Sequence, residues 1–425
     1  GTFTDVVAKT PLGVIKTAKL LSVNPNQYRD PAIAGIRRLM GMQANAPLPA
    51  NDIGIVKLGT TVATNALLER QGEPMALVTT KGFADGLKIA YQNRPDIFAR
   101  NILLPEQLYQ QVVEVEERVD AIGKIITPLD VQTLRTKLQA LYDDGLRAIA
   151  IVFMHAYRFF DHEQAAGAIA DEIGFTQISL SHQVSPLIKY VGRGDTSVVD
   201  AYLSPILRRY IDQVTSDLGD VRVQFMQSHG GLTDATQFRG KDAILSGPAG
   251  GIVGAVGAGK THGKNRLISF DMGGTSTDVA HYADILERDF ETVVAGVRLR
   301  TPMMRIHTVA AGGGSICQFR DGRYQVGPQS AGARPGPAAY GLGGPMTVTD
   351  CNIALGKLVP EFFPNIFGPN FDAALNVQAV DARLATLAVK IGQETGHTPS
   401  HHQIASGFLR IAIENMANAI KKISV

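Results

Sequence analysis

The chain has 425 residues, of which 45% are hydrophobic and 19% are charged, and its formal net charge is +2. This composition is typical of two or three globular domains, and the lack of a basic or acidic block argues against a nucleic-acid partner. No apolar run reaches the roughly 20 residues that span a bilayer. The two cysteines, Cys317 and Cys351, favour a reducing compartment, so a cytoplasmic location is predicted.

Predicted strands and helices alternate along most of the chain. Apolar patterns predict strands at 6–9, 14–20, 53–58, 75–79, 112–116, 148–153, 177–181 and 221–226. Helical spacing predicts helices at 31–42, 60–70, 128–144, 162–173, 196–218, 250–257 and 403–424. This alternation indicates α/β architecture. A junction is expected within 185–195, which divides the chain into domains at 1–190 and 191–425.

One hexapeptide pattern, Gly-Thr-x-Thr-Asp-Val, occurs twice, at 1–6 and at 274–279. Glycines let backbone N–H groups approach an anion, threonine hydroxyls donate to phosphate oxygens, and an aspartate can hold Mg²⁺. For a single copy, a glycine turn capped by threonine and aspartate is the simpler interpretation. The repetition favours two phosphate-binding hairpins that hold a triphosphate from opposite lobes.

Longer stretches around these repeats resemble the hydantoinase A / 5-oxoprolinase family of the actin–hexokinase–Hsp70 ATPase superfamily. They are KLGTTVATNALLER (57–70), LSGPAGGIVGAV (245–256), FDMGGTSTDVA (270–280), HTVAAGGGSI (307–316) and VGPQSAGARPGPAAYGLGGPMTVTDCN (326–352). The hydantoinase A-type part of bacterial 5-oxoprolinases is most similar at 19–39, 152–163, 190–211 and 363–369.

The resemblance implies an α/β, two-lobed actin/hexokinase-like (ribonuclease H-like) ATPase fold. Phosphate-1 and phosphate-2 loops would lie in the first and second domains. In the family, a strand and an aspartate precede the first loop, and further sheet follows the final helix. The chain is therefore expected to be truncated at both ends.

The same resemblance implies an enzyme that uses ATP and Mg²⁺ to phosphorylate the carbonyl oxygen of a five-membered cyclic amide and so open the ring. The ring would be 5-oxoproline or an N-substituted hydantoin. A hydantoinase B-like partner subunit is implied, a homodimer is left open, and no membrane partner is expected. Two alternatives stay open: a kinase step like that of the acetone carboxylase β-subunit, and a non-catalytic nucleotide-gated module of the actin or Hsp70 type.

Site residues follow from this resemblance. The predicted catalytic and Mg²⁺-organising residues are Asp5, Asp271 and Asp278. The predicted nucleotide contacts are Gly1, Thr2, Thr4, Gly273, Gly274, Thr275, Ser276, Thr277, Gly312, Gly313 and Gly314. The candidate substrate contacts are Asn65, Arg193, Asp200 and His307. For Asp200 a solvated or salt-bridged helix face, and for His307 a place in the core, are the alternative interpretations.

The stretch GAVGAGKT at 254–261 matches the phosphate-binding pattern G-x-x-x-x-G-K-[ST] letter for letter. In a working loop of this kind, a helix begins at the Lys-Thr pair and its N-terminus faces the phosphates. Here the spacing predicts a helix that ends in the glycines, followed by a strand. We therefore expect Lys260 not to bind phosphate.

Overall fold

The computed structural model describes residues 3–22, 24, 27–44, 46–92, 97–102 and 104–424. Gly1 and Thr2, two of the predicted nucleotide contacts, lie outside these residues. Among the helices described, none has both the length and the apolar character that crossing a membrane requires.

Most of the strands in the described residues are short. They are β1 (Phe3–Lys9), β2 (Ile15–Leu21), β3 (Val56–Leu58), β4 (Met75–Thr80), β5 (Gln111–Val115), β6 (Arg118–Val119), β7 (Ile125–Thr127), β8 (Ala148–Val152), β9 (Gln177–Leu180), β10 (Val223–Met226), β11 (Leu232–Asp234), β12 (Arg266–Met272), β13 (Thr277–Ala283), β14 (Ile285–Leu286), β15 (Arg288–Asp289), β16 (Thr292–Val294), β17 (Val297–Leu299), β18 (Met303–Met304), β19 (His307–Val309), β20 (Ser315–Arg320) and β21 (Arg323–Ser330).

The α-helices of the same residues vary widely in length. They are α1 (Pro31–Leu39), α2 (Val62–Leu68), α3 (Gly86–Ile89), α4 (Val131–Asp143), α5 (Asp161–Ile173), α6 (Ser181–Val184), α7 (Tyr190–Leu218), α8 (Ser246–Thr261), α9 (Val348–Ala354), α10 (Val377–Thr395) and α11 (His401–Ser424).

The chain forms two compact units, and each is discontinuous in sequence. Unit 1 comprises Gly1–Pro47, Gly251–Glu287 and Arg305–Val425, and unit 2 comprises Leu48–Gly250 and Arg288–Met304. The expected junction at 185–195 lies inside unit 2. The division into domains at 1–190 and 191–425 describes regions of the sequence that resemble the family, and it stays a prediction.

Unit 1 combines small antiparallel sheets with a helical core. Strands β1 and β2 form a hairpin, and β13 lies between β12 and β19. The core packs α9, α10 and α11 against β20, and its centre includes Leu384 and Phe408, both fully buried. The helix predicted for 403–424 is confirmed as α11, whose buried face includes Ile404, Phe408 and Met416, whereas Ile413 is exposed.

Unit 2 is built on a four-stranded parallel sheet in the order β5-β4-β8-β9. Strands β4 and β8 are buried along their whole length, as expected for continuous apolar runs in a parallel sheet. Helices α4 and α5 pack on this sheet. Asp130 caps α4 by accepting the N–H of Thr133 at 3.0 Å, and Gly174 ends α5 in a left-handed conformation.

Helix α7 begins at Tyr190, six residues before the predicted start. The glycines at 192 and 194 lie within the helix, where they allow close packing. A Cβ at Gly194 would lie 2.6 Å from the Leu87 side chain, and one at Gly192 would lie 3.0 Å from that of Arg300. Tertiary packing therefore outweighs the low helix propensity of glycine here.

Candidate functional site

The first copy of the repeated hexapeptide begins the β1–β2 hairpin. Asp5 faces Lys19 across the hairpin, and their side chains form an exposed ion pair of 2.6 Å. Thr4 is half-buried, and its hydroxyl lies 2.9 Å from the Ser22 hydroxyl. Both predicted polar side chains of this copy that the structure describes therefore already have partners within unit 1.

The second copy forms the turn between β12 and β13. The Gly273 N–H donates to the Ser276 carbonyl at 2.9 Å, which closes the turn. Gly274 and Thr275 are exposed, and Ser276 is half-buried. Among the hydrogen bonds of the described residues, none uses the N–H of these three. Consecutive free N–H groups beside hydroxyls at a tight turn are a suitable donor set for an anion.

The glycine run at 312–314 supports this turn from behind. Gly313 N–H donates to the Gly273 carbonyl at 2.9 Å, and Gly314 N–H donates to the Gly274 carbonyl. A Cβ at Gly312 would lie 2.8 Å from the Gly273 oxygen. Gly312 N–H donates to the Ser315 hydroxyl. The N–H groups of this run are thus occupied within unit 1 and hold the turn in place, and the contact of Gly312, Gly313 and Gly314 with nucleotide stays a prediction.

Thr277 also has a structural contact. Its side chain is fully buried, and its hydroxyl donates to the Ala311 carbonyl at 2.5 Å. Strand alternation turns Thr277 inward and the next residue, Asp278, to the other face. The expected hydroxyl contacts to phosphate therefore rest on Thr275 and Ser276.

Two carboxylates and a hydroxyl share that other face. Asp278 lies opposite Asp271 of β12 on one side and opposite Thr308 of β19 on the other. The Thr308 hydroxyl donates to Asp278 Oδ1 at 2.6 Å. Burial raises the pKa of Asp278, the Thr308 hydrogen bond opposes this, and the charge of Asp271 adds to it. Asp271 is exposed, and a Cβ at Gly251 of α8 would lie 3.8 Å from its Oδ2.

Sequence reasoning missed Thr308. It is the second residue of the stretch HTVAAGGGSI (307–316), but it lies in a strand of three residues and nothing in that stretch marks it as a partner of Asp278. Thr308 is paired with Asp278, 30 residues earlier in the chain, by the pairing of β13 with β19. Only the folded sheet reveals this pairing.

The donor set can be tested for Mg²⁺. In the described part of the chain, no group of three or more His, Cys, Asp or Glu side chains could hold a metal ion. Mg²⁺ commonly binds through one or two carboxylates plus substrate phosphates and waters. The pair of Asp271 and Asp278 fits that mode. Asp5, already paired with Lys19, stays a predicted ligand.

Both repeats fall in unit 1. The chain leaves unit 1 after Pro47 and returns to it at Gly251. That the two repeats hold phosphate from opposite lobes stays a prediction.

The stretch that matches the phosphate-loop pattern lies within α8. The helix continues through the glycines and ends at Thr261, so Lys260 is in its last turn. The partial charge at a helix C-terminus is negative, which disfavours phosphate. Lys260 Nζ instead lies 5.6 Å from the centre of the Tyr282 ring.

Two candidate substrate residues are accessible, and they belong to different units. Asn65 is exposed on α2 of unit 2. His307 of unit 1 is half-buried and pairs with the fully buried Val279, so it lies on the sheet face opposite Asp278. The roles of Asn65 and His307 as substrate contacts therefore stay predictions.

The candidate Arg193 belongs to the core of unit 2, with 1% of its surface exposed. Its guanidinium donates to the Ser181 hydroxyl at 2.9 Å and to the Phe153 carbonyl at 2.6 Å. The same serine donates to the buried Glu163 at 2.7 Å, and burial lowers the pKa of Arg193. This network is structural, so the structure does not place Arg193 on a surface that a substrate could reach.

The candidate Asp200 is 3% exposed, so the solvated helix face considered for it is wrong. Hydroxyls of Ser179 and Ser204 donate to its carboxylate at 2.8 Å and 3.2 Å. It also lines a cavity of about 690 Å³ in unit 2.

Two family models match the chain. The model described as Hydantoinase/oxoprolinase matches residues 193–425, and the model of the Hydantoinase/oxoprolinase N-terminal region matches residues 1–174. Together they account for most of the chain.

Curated relatives carry related names. The 5-oxoprolinase of Saccharomyces cerevisiae is 43% identical over an alignment that covers 100% of this chain and 36% of that protein. The 5-oxoprolinase 1 of Arabidopsis thaliana is 42% identical, with the same coverage. The caprolactamase subunit alpha of Pseudomonas jessenii is 32% identical over 100% of this chain and 62% of that protein. The chain thus spans about a third of the 5-oxoprolinases it matches.

Solved structures share the fold. The ATP-dependent caprolactamase from Pseudomonas jessenii superposes with a TM-score of 0.77 at 31% identity, covering 100% of this chain and 62% of that chain. A nucleotide-free acetone carboxylase superposes with a TM-score of 0.76 at 22% identity, covering 99% and 61%. The mixed α/β fold is consistent with an actin/hexokinase-like ATPase, as the sequence predicted.

Proposed function

Because this chain belongs to the hydantoinase/oxoprolinase family, we propose that it is the ATP-using part of an enzyme that opens a small cyclic amide. The names of the relatives support this class, since they include 5-oxoprolinases and an ATP-dependent caprolactamase. The proposed substrate is 5-oxoproline, with an N-substituted hydantoin as the alternative ring. The proposed location is the cytoplasm.

One structural observation carries the proposal. The turn at 273–276 presents free N–H groups and two hydroxyls, and the carboxylates of Asp271 and Asp278 lie on the strands that lead into and out of it. In this proposal the turn binds phosphate oxygens of ATP, and the carboxylates hold Mg²⁺ and orient the reacting oxygen. Bound Mg²⁺ would neutralise part of the phosphate charge.

The chemical reason for ATP lies in the amide. Resonance makes its carbonyl carbon a poor electrophile. When the carbonyl oxygen attacks the γ-phosphorus, an O–P bond forms, ADP leaves, and the ring carbon becomes electrophilic. Water then adds to that carbon, the C–N bond breaks, and phosphate leaves, which yields a carboxylate and an amine. The protein contributes positioning and electrostatic stabilisation to the phosphoryl transfer.

The first repeat has a less direct proposed role. Thr4 would contact phosphate, and Asp5 would join the Mg²⁺ shell. Asp5 is paired with Lys19 at 2.6 Å, so a metal ion must share or displace that partner. Hydrolysis of the activated ring is assigned to a hydantoinase B-like partner, as the family resemblance suggests.

The test is ADP formation by the chain, with and without its hydantoinase B-like partner. The substrates are 5-oxoproline, N-methylhydantoin, caprolactam and acetone, supplied one at a time. We expect a cyclic amide to stimulate turnover. Stimulation by acetone alone would identify a carboxylase-type kinase step. Turnover that responds to no small molecule but does respond to a protein partner would indicate a nucleotide-gated module.

A further inference from the structure

A cavity of about 690 Å³ in unit 2 lies beside β9, the edge strand of the parallel sheet. Residues from α5, β9, α6, α7 and 235–239 line it. The volume is in the range of about 300–1,000 Å³ typical of small-molecule sites. None of the phosphate-binding elements described above contributes to its lining, so the cavity is a separate feature.

The interior of the cavity contains a buried carboxylate without a counter-ion. Asp200 accepts hydrogen bonds from Ser179, Ser204 and the N–H of Lys241. Within the residues the structure describes, no lysine, arginine or histidine forms an ion pair with it, and Arg239 and Lys241 act on it only through longer-range charge. Burial raises its pKa. An ammonium group placed beside this carboxylate would supply the missing opposite charge and favour its ionised form, so the site is complementary to an ammonium group.

Part of the lining is apolar, beside a larger set of polar residues. Phe175, Leu180, Ile211 and Phe238 all line the cavity and are all at least nine-tenths buried. Such side chains favour methylene groups by removing them from water, at about 0.8 kcal/mol for each fully buried methylene. A ligand with an ammonium end therefore gains affinity from a short aliphatic body.

Exposed arginines lie at the mouth. Arg208 donates to the Thr176 carbonyl at 3.2 Å and to Gln177 Oε1 at 2.8 Å. A guanidinium has five N–H donors, so further donors of Arg208 remain for a ligand. Arg239 is also exposed. Asp171 and Asp212 also line the cavity, and their negative charges offset the positive charges of the two arginines. The arginines would therefore recognise a carboxylate through paired N–H···O hydrogen bonds more than through a net positive potential.

We propose that this cavity binds a small aminocarboxylate whose ammonium meets Asp200 and whose carboxylate reaches Arg208 and Arg239. Opening of a lactam such as 5-oxoproline yields this class of molecule, and only this link to the reaction rests on the proposed function. The cavity would then bind product of the reaction or a free amino acid of the same kind.

The test is calorimetric titration of the whole chain, without nucleotide, with 5-aminopentanoate and with its single-ended analogues pentylamine and pentanoate. We expect saturable binding of the aminocarboxylate, about tenfold or more tighter than that of either analogue. Asp200→Asn and Arg208→Gln should each weaken binding by about tenfold. Arg209→Gln is the matched control, because Arg209 does not line the cavity and pairs with Glu73.

Absence of saturable binding at millimolar ligand would overturn the proposal, as would equal binding by wild type and by a folded Arg208→Gln variant. Asp200 also accepts a hydrogen bond from the Lys241 N–H, so circular dichroism must show that Asp200→Asn is folded. If Asp200→Asn unfolds, the Arg208→Gln variant decides the test. Asp271→Asn should abolish ATP turnover without changing this affinity. That result separates failure of the cavity assignment from failure of the ATPase assignment.

Discussion

The Thr308 hydroxyl donates to Asp278 Oδ1 across 2.6 Å, from the strand opposite the one that carries Asp271. Asp278 is thus held between a hydrogen-bond donor and a second carboxylate. The donor favours its ionised form, and the neighbouring carboxylate disfavours it. These opposed influences give the site its main testable property.

Thr308→Val should reduce ATP turnover by about 10- to 150-fold, since a hydrogen bond to a charged group contributes about 1.5–3 kcal/mol. It should also raise the pKa of Asp278, because the influence that lowers this pKa is lost. If the ionised carboxylate is the active form, the acidic limb of the pH–rate profile moves to higher pH. Thr308→Ser keeps the hydroxyl and should restore both properties. An unchanged profile in the valine variant would exclude this positioning role.

Asp271→Asn should abolish ATP turnover while leaving the fold intact, because the side chain is exposed at the end of β12. Loss of its charge should also lower the pKa of Asp278, so any residual activity should persist to lower pH than in the wild type. Phosphate release measured across pH checks both effects. Wild-type turnover in this variant would remove Asp271 from the mechanism.

Gly312→Ala should impair the turn at 273–276, since the new Cβ would lie 2.8 Å from the Gly273 oxygen and 2.9 Å from the Gly274 oxygen. We expect weaker nucleotide binding, together with a loss of stability of about 1–3 kcal/mol from the forced shift. Gly254→Ala in α8 is the matched control, because a Cβ there meets nothing within 4 Å. Equal nucleotide affinity in the two variants would contradict the supporting role of the glycine run.

Arg193→Met should lower the free energy of unfolding by about 1–3 kcal/mol, because it leaves the buried Phe153 carbonyl without its donor. It also removes a positive charge near buried Glu163, which keeps His182 as its partner. Arg209→Ala, which breaks an exposed pair with Glu73, should change it by less than about 1 kcal/mol. Urea unfolding compares the two. A small effect of Arg193→Met would reopen a role for Arg193 at a surface.

Elements with a strong local pattern were predictable from the sequence. Strands β4 and β8 are continuous apolar runs, and α11 has apolar residues at helical spacing. Each pattern indicates its element without information from distant parts of the chain. Helix α7 was harder, because it is buried on several sides and its polar residues point inward. Arg193 and Asp200 therefore resembled surface residues, although the fold encloses both.

The chemistry of the repeated motif was predictable only in part. Its two threonines look equivalent in sequence, but Thr277 lies in β13 and is buried, whereas Thr275 lies in the turn before that strand and is exposed. The supporting contacts of Gly313 and Gly314 join segments about 40 residues apart, and the Thr308 contact depends on sheet register. Such pairings are set by tertiary structure, so no local pattern encodes them.

The central claim is that the turn at 273–276, and not the phosphate-loop-like stretch in α8, binds the phosphates of ATP. Hydrogen–deuterium exchange with and without Mg·ATP measures this directly, by comparing peptides that cover 271–278 and 254–261. We predict that nucleotide slows exchange at Gly274, Thr275 and Ser276 and leaves 254–261 unchanged. Protection confined to 254–261, with none at the turn, would contradict the account.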